Sequence, residues 1–237
     1  MEYTQSQGHG PAIENELRVK VWNLPMSKNN TLPHDIPKHL NRFNPNEMVS
    51  IKSMKGYTVC MGDILRVYDR CGPDEILTLL IARYLQVGGE KRIVEIVEMN
   101  YNEEFHRLLF GTITRQEIED YVASIRAIPP GKASKKIRED YLKRKNDLQK
   151  IHHMRMHLSP KVDSKNQRRV QCAIPHLDQL WEQFPQFILS RTTDQVRGIP
   201  ITTTYAFGSR VRKAKIGKAK IGKTKNAKRL AKVLTKD

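Results

Sequence analysis

Acidic residues are in short supply in this 237-residue sequence, where 25 Asp and Glu face 42 Lys and Arg for a formal net charge of +17. A chain so poor in carboxylates is a poor fit for basic partners, and its excess cations point to anionic ones. Cysteine is scarcer still. Cys60, Cys71 and Cys172 make an odd, widely spaced set, which excludes a disulfide framework and fits a reducing compartment. Their plain reading is three thiols in or near the core. No stretch approaches the roughly 18 to 20 consecutive apolar residues that a membrane-spanning helix needs. The opening MEYTQSQGHGPAIENE lacks the basic-then-apolar layout of a secretory signal. Neither a signal peptide nor a transmembrane segment is therefore expected, and the protein is placed in the cytosol or nucleus.

Catalytic signatures are also missing. There is no Gly-Lys-Ser/Thr phosphate loop, Gly-x-Gly-x-x-Gly, nucleophile elbow or HExxH. The acidic groups Glu103-Glu104, Glu117/Glu119/Asp120 and Glu139-Asp140 fit helix starts or exposed helix faces, so no enzyme and no cofactor is expected. One set has metal-ligand chemistry: His153-x3-His157, then Cys172-x3-His176. Against it, Cys172 falls in a strand pattern, His176 follows Pro175, and no Cys-x2-Cys knuckle is present. His152, His153 and His157 instead extend a cationic helix face, and no metal is expected. Aromatics make up 7% of the chain, and Tyr141 is the only one inside the first basic segment. A surface that stacks bases is thus poorly supported, which leaves phosphate contact.

The positive charge is not spread evenly. From Gly131 to Arg169 there are 13 Lys and Arg against four acids, and from Ser209 to Asp237 there are 12 against one, while the remainder carries 17 basic and 20 acidic groups. Two segments thus carry the whole excess, and a charge confined in this way is a partner-binding feature. The second contains a short repeat, Lys213-Ala-Lys-Ile-Gly and Lys218-Ala-Lys-Ile-Gly. Its glycines and mutually repelling lysines predict a disordered basic arm over 209–237. The candidate polyanion-binding residues are Lys135, Lys136, Lys143, Arg144, Lys145, Arg168 and Arg169 in the first segment, and Arg210, Lys215, Lys218, Lys220 and Lys223 in the arm. Arg212, Lys213, Lys225, Lys228 and Arg229 match the two-cluster pattern of a nuclear import signal.

The apolar spacing predicts an α+β fold: a single compact domain of helices packed on a small sheet, with the arm outside it. Residues 1–16 are expected to form a flexible N-terminal segment and 17–208 the body. Leu17, Val19 and Val21 alternate with polar neighbours, predicting a strand over 17–24, and Pro25 to Pro45 reads as an irregular loop. A second strand is expected at Val49 to Ser53 and a helix at Thr58 to Asp69. A second helix is expected from Asp74 to Gln86, with Ile76, Leu77, Leu80, Ile81, Tyr84 and Leu85 on one face. A strand follows at Arg92 to Met99. Thr114-Arg-Gln-Glu117 is a capping box opening a helix through Ile125, and Ser134 caps a basic helix reaching Leu158. A strand at Val170 to Ile174, a helix from Leu177 to Phe184 and a Thr-rich strand at Pro200 to Phe207 complete the body. Trp181, Phe184, Phe187 and Ile188 form an apolar cluster read as core, with a self-association or bilayer-contact surface as the alternative.

The size, the neutral α+β body, the order of strand (49–53), helix (58–69), helix (74–86) and strand (92–99), and the import-type signal together resemble the matrix proteins of plant rhabdoviruses that mature at the nucleus. The arm is C-terminal and Pro129-Pro130-Gly131-Lys132 is not the Pro-Pro-x-Tyr motif of animal rhabdovirus matrix proteins, so recruitment of host budding machinery is not implied. The resemblance does imply a non-enzymatic structural protein that condenses a nucleocapsid and bridges it to an anionic membrane surface. It also implies self-association, an import carrier as partner, and residence in the host nucleus and virion. The alternative is an RNA- or DNA-binding protein of a large ribonucleoprotein with no membrane role.

Overall fold

The computed structural model describes residues 9–26, 34–70, 75–163 and 166–206. These build an α+β fold. The basic arm and its candidate residues, Arg210 through Arg229, lie outside the described residues, as does Cys71.

The large sheet is organised by β3 (Ile76–Val87) and β4 (Glu90–Asn100), an antiparallel hairpin closed at Gly88, whose φ of 58° suits glycine. β1 (Glu47–Met54) joins β3 in parallel and forms one edge. The other side of β4 pairs with β7 (Ile188–Thr192) and β10 (Thr204–Ala206). Here the expected helix over 74–86 is overturned. Leu77, Leu79 and Ile81 enter one core cluster while Leu80 and Ala82 enter the other, so this strand is buried on both faces. A strand covered on both sides has a continuous apolar run, and such a run also satisfies helical spacing.

A smaller sheet, in the order β2 (Val59–Asp63), β6 (Arg168–Ile174), β5 (His157–Val162), is antiparallel throughout. The expected helix over 58–69 is therefore half strand, and only α2 (Ile64–Tyr68) is helical, opened where the Asp63 side chain accepts the Arg66 N–H at 3.2 Å. Between the two sheets lies the main core, with α3 (Glu103–Phe110), α4 (Arg115–Arg126) and α6 (Leu177–Gln183) contributing Phe105, Ile118, Tyr121, Trp181 and their neighbours. The expected apolar cluster belongs here: Trp181 and Phe187 are buried, and Phe184 and Ile188 pack against the same core. The capping box at Thr114 forms as the sequence predicts.

The opposite face of the large sheet is covered by α1 (His9–Lys20). The expected strand over 17–24 is absent, and so is a boundary at residue 16. Ile13, Leu17 and Val21 recur at four-residue intervals and are buried, whereas Val19 is 41% exposed. The alternation in LRVKV was the chance overlap of a helical stripe with a period of two. The Thr-rich segment near the end divides into β9 (Ile199–Pro200), which pairs with β8 (Gln195–Val196), and β10. The β8–β9 turn places both Arg197 and Gly198 at positive φ, 52° and 77°.

Candidate nucleic-acid interface

The basic helix, α5 (Lys135–Ile151), begins where the Ser134 hydroxyl accepts the Ile137 N–H at 3.2 Å. It ends seven residues before the expected Leu158. His153 takes a left-handed φ of 52°, and Leu109 O accepts the N–H groups of both Arg155 and Met156, which pulls the chain away from the helix and into edge strand β5. Pro160 is tolerated there because β5 has only one neighbour. α5 has no buried side chain. Ile137, Tyr141 and Leu148 are half-buried, Tyr141 and Leu148 pack against the main core, and Tyr121 Oη donates to the carbonyl of Tyr141 at 3.3 Å.

Lys135, Lys136, Lys143 and Arg144 are exposed, and Lys145 is half-buried. Lys136, Lys143 and Lys150 form a row with about 10.5 Å of helical rise between members. Among the described residues, the one ion pair made by α5 joins Lys135 to Glu139 at 3.7 Å, both largely in water, where such a pair contributes little. Arg144 also lies over the Tyr121 ring, 5.9 Å from its centre. Burial, then the nearby Lys145 cation, holds His157 below the usual imidazole range.

The two candidate arginines of β6 behave differently. All five N–H donors of Arg168 are directed at carbonyl oxygens: Nε at Ile128, Nη1 at Asp163 and Gln167, Nη2 at Pro129 and Gly131. This side chain fastens the turn that leads into α5. Arg169 is exposed and sits directly opposite Lys161 across the β5–β6 ladder. Like charges in facing positions repel, so this pair gains from an anion laid over it.

The metal-type set does not assemble. His157 and His176 line one cleft of about 270 Å³ together with Met154, Arg155 and Gln179. Cys172 points to the core, where burial pushes its thiol up. Among the described residues no three His, Cys, Asp or Glu side chains come together to hold a metal ion. Cys60 is exposed rather than in the core, because Val59 and Met61 on either side of it point inward.

A second constellation, with no signal in the sequence pattern, sits at the outer edge of β1. Ile36 bridges Val49 there, and Asp35 Oδ2 accepts from the Ile51 N–H at 2.5 Å, from Ser50 Oγ at 3.3 Å and from Lys52 Nζ at 3.2 Å. From one face, α1 brings Arg18, whose guanidinium donates to the Asp35 carbonyl, and Glu14. Burial, then the Asp35 carboxylate beside it, pushes Glu14 up to about 7. From the other face Arg70 reaches Ser50 Oγ at 3.4 Å, while its own Nε has no acceptor among the described residues. Burial and the Arg70 cation hold His34 below the usual imidazole range, and its buried Nδ1 is also unpartnered among the described residues.

No described helix is long and apolar enough to cross a membrane. Comparison of the chain with known protein families, with curated proteins and with solved structures finds no match.

Proposed function

We propose that the protein holds nucleic acid by its phosphates, without reading base sequence, along the exposed face of α5 and the basic segment from Ser209 to Asp237. The carrying observation is the state of the α5 cations. Seven Lys and Arg stand on a helix with no fully buried side chain, and its one ion pair among the described residues is solvated. Other charges of the body are consumed by fixed partners: Glu95 is shared by Arg83 and Arg191, and Arg197 by Glu47 and Glu98. Cations retained without such partners are free to neutralise phosphates, and no exposed aromatic lies among them to stack on bases. The basic clusters Arg212-Lys213 and Lys225 to Arg229 suit the acidic groove of a nuclear import carrier.

Changing Lys136, Lys143 and Lys150 together to Glu tests the reading. A salt titration of RNA and DNA binding is expected to show the logarithmic slope falling by about 2 to 3, since each lost phosphate contact removes roughly 0.9. Unchanged affinity and slope would sink it. A matrix-type role at an anionic membrane is the second reading, favoured by Leu142 and Ile151, which are 37% and 66% exposed on the same helix. It no longer has the support of the element order, since residues 76–87 form a strand and 58–69 are only half helical. Flotation with anionic vesicles separates the two readings.

A further inference from the structure

The chain leaves α5 through the left-handed turn at His153 and enters β5, and the cleft of about 270 Å³ shared by His157 and His176 opens at that corner. Residues far apart in sequence meet there. Gln149 comes from the end of α5, Arg155 from the turn, His157 from the start of β5, and Gln179 and Gln183 from α6, with His176 just ahead of that helix. The buried Met154 and Leu180 supply the apolar part of the lining.

The polar part offers donors. Two glutamine acceptors are already engaged, since Gln149 Oε1 accepts the Leu158 N–H at 3.4 Å and Gln183 Oε1 accepts from Arg155 Nη1 at 3.2 Å. The side-chain amide N–H groups, the two imidazoles and the other N–H groups of Arg155 remain. Among the described residues no carboxylate lines the cleft and none forms an ion pair with Arg155. The guanidinium is held in place, because it also lies over the Phe184 ring, 5.0 Å from its centre. A fixed guanidinium, two imidazoles and amide donors without a charged acceptor fit an anion that carries several oxygens. Small-molecule sites begin at about 300 Å³, so the guest is no larger than a phosphate group and the sugar atoms next to it.

Cationic groups lead to this corner from two sides. Lys145 stands one helical turn before Gln149 on the same face of α5, near enough for its charge to act on His157. On β5, His157, Ser159 and Lys161 share the outer face, opposite Ala173, Gln171 and Arg169 of β6. The facing cations Lys161 and Arg169 are thus about 13 to 14 Å from His157 along the strand. We propose that the cleft seats one phosphate group of a nucleic-acid strand laid over these cations, with Arg155, His157 and His176 as its ligands. The inference rests on the nucleic-acid reading above and adds a fixed point to it. Lysines on an open helix hold phosphates in any register, whereas a cleft with a pinned guanidinium holds one. A terminal phosphate and a backbone phosphate present similar oxygens to these donors, and the test separates them.

The test uses the full chain and one single-stranded sequence, as RNA and as DNA, prepared with a 5′-phosphate, with a 3′-phosphate or with hydroxyls at both ends. Each form competes against a labelled strand at low salt. Two variants disable the cleft by different routes. Arg155→Gln combined with His176→Gln removes donors from two exposed positions, and Gln179→Glu brings in a carboxylate at the first turn of α6, where an acid favours the helix. Arg107→Gln removes an exposed cation of α3 outside the cleft and serves as the control. Each cleft variant is expected to weaken binding of at least one form about 10-fold, with Arg107→Gln within about 2-fold of the native protein. A phosphorylated form that binds more tightly than the hydroxyl form, and loses that advantage in both cleft variants, assigns the seat to a strand end. Equal weakening of all three forms assigns it to the backbone. Circular dichroism and urea unfolding check that the variants fold. Binding by both cleft variants within about 2-fold of native for every form would overturn the inference, while weakening on changing Lys136, Lys143 and Lys150 to Glu would leave the binding reading standing. Failure of the native protein to bind any form at low salt would overturn both.

Discussion

Arg197 and the lysines of α5 carry the same charge in opposite settings. Arg197 sits between the Trp22 and Phe43 rings, 5.4 and 5.3 Å from their centres. It donates to both oxygens of Glu47, at 2.6 and 2.9 Å, and to Glu98 at 2.8 Å. Glu47 also accepts from Asn41 and Thr78. Burial alone would raise its carboxyl, but the bonds from Arg197, Thr78 and Asn41 outweigh that and hold it low. Lys136, Lys143 and Lys150 stand exposed with no ion-pair partner among the described residues. A charge with fixed partners belongs to the fold, and a charge kept in water without them belongs to whatever the protein meets.

The sharpest way to test that contrast is to remove the guanidinium. Arg197→Asn retains a residue that tolerates the left-handed φ of 52° while leaving two nearly buried carboxylates without their cation. A loss of about 3 to 5 kcal/mol in urea unfolding is expected, because stranding a buried charge costs more than the pair contributes. Arg197→Lys should recover only part of it, since an ammonium cannot make the paired contact with Glu47. A change below about 1 kcal/mol in Arg197→Asn would show that the network is not structural.

Glu14 lies between these settings, half-buried beside a carboxylate and near the cations Lys52 and Arg18. Its folded pKa of about 7 lies above the ordinary value of 4.5, so the folded protein holds its proton more tightly than the unfolded chain. Its contribution to stability is complete below pH 4.5 and is lost as pH rises through 7. Glu14→Gln is expected to flatten this fall and to be more stable than the native chain at pH 8 by roughly 1 to 2 kcal/mol, after allowance for its partial exposure to solvent. Parallel stability curves for the two proteins between pH 4.5 and 8 would contradict the assignment.

The sequence displayed the solvated elements better than the buried ones. α5 and α4 begin at Ser134 and Thr114 as their caps require, because a cap is a local interaction between residues three apart. β3 was hidden by its own burial: LTLLIARYL presents apolar residues to two cores, and no alternation survives. α1 was hidden by the reverse accident, a helical stripe that alternates over five residues. The cationic face of α5 could be read from charge alone. The β1-edge cluster could not, because Arg18 and Arg70 reach it from α1 and from the chain beyond α2, far apart in sequence, and the placement of α1 depends on a helix that the sequence presents as a strand.

The smallest effect on stability should come from the residues with the largest effect on binding. Changing Lys136, Lys143 and Lys150 to Ala removes three cations that no described carboxylate pairs with, from a helix whose packing rests on Ile137, Tyr141 and Leu148. Three opposing terms are then in play. Alanine favours the helix by a few tenths of a kcal/mol at each site, mutual repulsion along α5 is relieved, and the aliphatic stems that cover part of the surface are lost. The net change in unfolding free energy is expected to stay within about 0.5 kcal/mol, read by urea denaturation followed at 222 nm. A loss above about 1 kcal/mol would place these lysines with Arg197 as parts of the fold. The absence of ion pairs on α5 would then no longer separate the charges that face outward for a partner from those that hold the chain together.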